Sequence, residues 1–151
     1  MLPDEKIRKI ARISSMALFA LSLTQKSYCT TSTCSDSIMV FLLGWAALFS
    51  GIEVIIWLAN PFLFFAWVLL KKNIRVAMFL SLLSFTLSLS FLMLGTVLDN
   101  EAGHHNPIVS HKAGYWLWNG STLAMLLGSF VLMYRHNHRP NPTGRIWRSW
   151  Y

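Results

Sequence analysis

Acidic side chains are scarce in this chain, where six Asp and Glu stand against thirteen Lys and Arg. Charged residues of either sign make up 13% of it, whereas an ordinary soluble domain carries about 25%. With 54% of the residues apolar, too little polar surface remains to wrap a core in water, and lipid is the expected solvent. Cysteine is nearly absent as well. Cys29 and Cys34 are the two thiols, with no His between or beside them, so a four-ligand structural zinc site is excluded there. The sequence has no phosphate-binding glycine loop, nucleophile elbow, helical zinc signature or pair of acids inside an apolar run, and no catalytic machinery is expected.

What is present is a series of long apolar runs flanked by basic clusters. The run 13–24 follows Lys6, Arg8, Lys9 and Arg12 and ends at Lys26. It is shorter than the roughly 20 residues a crossing requires, and snorkelling of the flanking cations extends it to a span over about 10–27. The rival for this segment is a cleaved signal peptide, because a basic start before a short apolar stretch fits both. The stretch 38–70 carries one charge, Glu53. It is too long for one span and too short for two, so it divides into a short interfacial or re-entrant helix at about 38–50 and a span at 52–70. Asn60 and Pro61 fall within that span and predict a kink, because proline removes a backbone donor and disfavours helix at the residue before it. Two further spans are expected at 75–98 and 114–134, followed by a basic tail at 135–151. The fold class expected is therefore all-α: a single integral membrane domain, a bundle with four crossings.

Orientation follows from Lys and Arg. Four precede the first run, three lie between 70 and 76, and four follow the last span, leaving Lys26 and Lys112 on the other face. The positive-inside rule then puts both termini in the cytoplasm, with a bacterial inner membrane as the expected location. Basic residues that flank spans in this way mark topology, so no nucleic acid partner is expected. The aromatic residues Tyr115, Trp116 and Trp118 at the outer end of the last span read as an interfacial belt.

Several residue groups are candidates for chemistry or contact. Cys29 and Cys34 fall on the oxidising face, where a structural disulfide is expected; a thiol-redox relay is the alternative. Glu53 is either an intramembrane proton or cation site or an interfacial acid near a helix N-terminus. Asp99, Glu101, His104, His105 and His111 crowd one outer loop and are competent ligands for a divalent metal, though their spacing matches no established motif. Otherwise no cofactor is expected. Gly120, Ala124 and Gly128 recur every four residues, a small-residue row that lets helices approach closely, and Ser81, Ser84 and Ser88 form a hydroxyl row on the preceding span. Packing of these two rows on each other is the first expectation, and contact with a second chain or a second copy the next. The reading that emerges is an accessory, assembly or immunity-type protein, embedded in the bilayer and acting by helix contact with another membrane protein. A small transporter using Glu53 and a redox or metal-handling protein are the alternatives.

Overall fold

The computed structural model of the chain describes residues 3–45, 53–98 and 105–138. In chain order these form α1 (Asp4–Leu23), β1 (Lys26–Thr30), β2 (Cys34–Asp36), α2 (Ser37–Leu43), α3 (Glu53–Trp57), α4 (Ala59–Leu69) and α5 (Ile74–Ser90). A single 3-10 turn, Phe91–Met93, leads to β3 (Thr96–Leu98), β4 (His105–His111) and α6 (Ala113–Asn137). The central helix is α6, which packs along α1 on one side and α5 on the other, while α4 lies against α5.

The all-α, four-crossing expectation is corrected on two counts. First, a four-stranded antiparallel sheet, ordered β2-β1-β4-β3, closes one end of the helices. Its strands come from the segments between apolar runs, where Thr96, Val97, Ile108 and Val109 supply β-branched side chains that favour a pleated surface. The expected span 75–98 accordingly ends early, with its last residues in β3. Second, among the described residues two helices are long and apolar enough to cross a membrane: 74–93 and 113–137. Six charged residues, Asp4 to Arg12, occupy the first turns of α1, and that density lowers its apolar character below what a crossing needs. The expected span 52–70 is interrupted at Leu58, leaving the shorter apolar helix 55–69. The interfacial segment expected at 38–50 begins as α2, and residues 46–50 lie outside those described.

The interruption at Leu58 follows from Pro61. A helical residue at position 61 would donate to the carbonyl of Trp57, and proline has no N–H to give. The Asn60 side chain takes its place, Nδ2 donating to Trp57 O at 3.1 Å. Asn60 is 5% exposed, so the freed carbonyl is satisfied inside the protein, as a low-dielectric interior demands. The next turn is sharper: Asn73 caps α5, its Oδ1 accepting from the backbone N–H of Arg75 and Val76, a standard way to satisfy the first amides of a helix.

Helix contacts rest on small and hydroxylic side chains. Gly128 meets Ala11 so closely that a Cβ at position 128 would lie 2.2 Å from the Ala11 Cβ. Ser15 Oγ donates to Ser121 O at 2.8 Å and accepts from Trp67 Nε1 at 2.8 Å, tying α1 to α6 and α4. Between α5 and α6, Ser81 Oγ donates to Ser129 Oγ at 3.2 Å, and Ser88 Oγ and Thr122 Oγ1 share a bond at 3.1 Å. The two pairs are one heptad apart on each antiparallel helix, the repeat that keeps a seam facing its partner. Ser84 Oγ donates to Ala59 O at 2.7 Å. Hydroxyls that find partners in this way replace the hydrophobic force that lipid would not supply.

Candidate functional site

Beneath the sheet the helices do not close. A cavity of about 500 Å³ lies between α1, the β1–β2 hairpin, α2, the break between α3 and α4, and the first turns of α6. Its position follows from local chain geometry. α1 ends at Leu23 and β1 starts three residues later, so the chain leaves the bundle axis, and α2 returns beside it with Ser37 N bonded to Gln25 O at 3.0 Å. Gly114 permits that return: a Cβ there would sit 2.6 Å from Lys26 O and against Ser37 Oγ.

The cavity wall is mainly apolar, with Phe19, Phe41, Ile56 and Phe91 among its side chains. Phe19 meets Phe41, Phe64 and Trp67 edge to face at 5.3–5.7 Å between ring centres, the arrangement aromatic quadrupoles favour. Polar groups converge at the α4–α6 side. Trp118 Nε1 donates to Asn60 Oδ1 at 2.9 Å, and Trp57 Nε1 donates to Phe41 O at 2.9 Å. Nearby, Asn119 Nδ2 donates to Tyr115 OH, which donates to Ser88 O. Ser37 also lines the cavity, is 8% exposed, and its hydroxyl has no partner among the described residues.

The outer rim is α2. After Ser37 its sequence is wholly apolar, yet Ile38, Met39, Leu42 and Leu43 are all exposed, Leu43 at 62%. Trp45, just beyond its end, is also exposed. Helices that are apolar all round are normally enclosed. Here the enclosing surface is not supplied by the described residues.

The residues singled out from sequence are distributed as follows. Cys29 and Cys34 are joined in a disulfide and face each other across the β1–β2 hairpin, which is further fixed by Thr30 N donating to Thr33 O at 2.8 Å and a Lys26–Asp36 ion pair at 2.7 Å. Glu53 opens α3, and its side chain lies outside the described residues. Asp99, Glu101 and His104 also lie outside them; His105 belongs to β4, its side chain not among those described. His111 turns inward, its ring 5.6 Å from Phe91 and 4.9 Å from Tyr115. Burial among these rings lowers its pKa below the usual value, because desolvation disfavours the charged form. Nε2 of His111 has no hydrogen-bond partner among the described residues, which also contain no group of three potential metal ligands.

Gly120 and Gly128 face α1, not α5: Leu18 Cδ1 is 3.8 Å from a Cβ built at Gly120, and Ala11 is far closer at Gly128. Ala124 is half-buried between them. Ser81, Ser84 and Ser88 are fully buried, and meet Ser129, Ala59 O and Thr122 instead of the glycine row. Asn60 and Pro61 sit at the start of α4, beside the cavity. Sequence reading missed the cavity, because its walls come from segments as far apart as Phe19 and Trp118. The one local signal was α2, an apolar helix too short to span. No family model, curated protein or solved structure matches the chain.

Proposed function

We propose that this chain is a small integral membrane accessory protein in which α5 and α6 cross the bilayer and the α2 face of the cavity docks against another membrane protein. The observation that carries the reading is α2: four large apolar side chains of this seven-residue helix are exposed, and two of them, Met39 and Leu43, also line the aromatic-walled cavity. A concave pocket ringed by apolar side chains is how partner proteins receive a buried anchor residue.

Membrane insertion is supported by the outward faces of the two long helices. Within their apolar windows 28% and 33% of residues are buried inside the protein, so most of that surface needs a covering that water does not provide. Lys6, Arg8, Lys9, Arg12, Lys71, Lys72, Arg75 and Arg135 belong to one end of the molecule, where Arg135 Nη1 and Asp4 Oδ1 pair at 3.0 Å. Lys26 and Lys112 belong to the sheet end. The positive-inside rule orients the basic ends of α5 and α6 to the cytoplasm of a bacterial inner membrane.

The test is site-specific photocrosslinking in intact membranes with a probe at Leu42 or Leu43, and at Phe79 on the lipid-directed face of α5 as control. The reading expects one protein adduct of defined size from the α2 positions and none from Phe79. Adducts to lipid alone from all three would overturn it.

A further inference from the structure

At the opposite end from the sheet, a second cleft of about 390 Å³ opens between α1 and the α4–α5 turn. Five cationic side chains line it: Lys6, Arg8, Lys9 and Arg12 from α1 and Lys71 from the turn. The carboxylate among the lining residues is Glu5, held by Arg8 Nη1 at 2.7 Å. Five cations against one anion around one cleft repel each other, and only an anion between them reverses the sign of that interaction. Arg8 carries a second mark. Its Nε is buried and has no hydrogen-bond partner among the described residues, and an unpaired donor on a charged group is costlier than a neutral one.

We propose that this cleft binds the phosphate group of an anionic lipid. Guanidinium and ammonium donors are the groups that recognise phosphate oxygens, arginine by its planar fork and lysine as a point charge. Ile13 and Leu70 form the apolar part of the wall, and Ile10 and Ile13 are exposed on α1 at 56% and 51%. That strip continues from the cations along the helix and suits an acyl chain beneath a headgroup, whereas a soluble phosphate would make no use of it. Basic pockets between helices at the cytoplasmic side are suited to anionic headgroups on the same grounds. The inference rests on the membrane placement proposed above and is independent of what α2 contacts.

The experiment is native mass spectrometry and thermal melting of the full chain in mild nonionic detergent, titrated separately with phosphatidylglycerol, phosphatidylcholine and inorganic phosphate. The variants are Arg12→Gln with Lys71→Gln, and Arg12→Lys with Lys71→Arg, which keeps both charges. Expected are a single retained phosphatidylglycerol and a raised melting temperature, neither seen with phosphatidylcholine. Affinity falls roughly tenfold or more in the Gln pair, since each basic residue near an anionic surface contributes measurably, and recovers in the charge-keeping pair. Equal binding of both lipids, or undiminished binding by a folded Gln pair, overturns the proposal. Protection by inorganic phosphate equal to that by phosphatidylglycerol overturns the lipid assignment. Loss of the α2 protein adduct with lipid binding intact would leave this site standing.

Discussion

The two ends of α6 meet their surroundings in opposite ways. Near its C-terminal end, Gly128 and Ala11 bring α6 and α1 almost backbone to backbone. Near its N-terminal end, Gly114 meets Lys26 and Ser37 from the returning chain, and beside that contact lies the cavity of about 500 Å³. Both ends use glycine and serine, so composition alone does not separate them. What separates them is whether the facing element is a continuous helix, which fills the space turn by turn, or a chain reversal, which leaves a void that side chains from several elements only partly fill.

The contrast breaks most severely at Gly128. Gly128→Leu is expected to lower stability by about 3 kcal/mol, the upper range for overpacking, read as a fall in detergent melting temperature. Gly128→Ala is expected to be destabilising and to be partly restored by Ala11→Gly, whereas Gly120→Ala, with Leu18 at ordinary contact distance, should be tolerated. Equal costs at 120 and 128 would remove the distinction between tight and loose parts of the row.

Next comes the hairpin that builds the cavity's other wall. Removing the Cys29–Cys34 disulfide by double substitution to Ser is expected to cost about 2 kcal/mol, as loop entropy gives for so short a loop, while the α2 crosslink persists. A mixed disulfide trapped by Cys34→Ser alone would mean that the pair is a relay and not a staple. At the cavity's polar side, Trp118→Phe leaves Asn60 Oδ1 without its donor, and about 1–2 kcal/mol is expected from a buried acceptor so exposed to loss. Leu127→Met on the outward face of α6 serves as the neutral control.

The smallest effect concerns His111. Its pKa is lowered in the folded state, so between that value and the unfolded value near 6.5 the unfolded chain binds more protons. Stability is therefore full above about pH 7 and declines as pH falls through that window. The melting temperature should drop on acidification to pH 5, and less steeply in His111→Phe. Identical slopes would mean that the ring is hydrated.

How much of this was legible in the sequence depends on the range over which each feature is encoded. The disulfide, the asymmetry of Lys and Arg and the apolar character of α5 and α6 are local, and reading along the chain found them. The break before Pro61 was also local, but its exact position was not: it depends on Asn60 bonding to Trp57, a side-chain choice that periodicity does not report. The sheet escaped because its strands are short and lie between apolar runs, where polar residues resemble loops. β1 and β4 pair residues as distant as Tyr28 and His111, and no window along the chain sees both. The glycine row is visible in the sequence, but the helix it faces, α1, lies more than a hundred residues earlier, and the serine row of α5 was expected in its place.

That separation has a consequence for how the molecule is made. α1 precedes α6 in synthesis, and the buried Ser15 of α1, bonded to Ser121, gains that partner only once α6 has been made. The hairpin forms early and from neighbours, but its partner strand β4 arrives only just before α6. Until then Ser15 lacks its acceptor on α6, whereas Ser14 and Ser22 already bond carbonyls of α1 itself. Truncation anywhere before α6 removes that acceptor, and contacts between segments so far apart in sequence are slow to close.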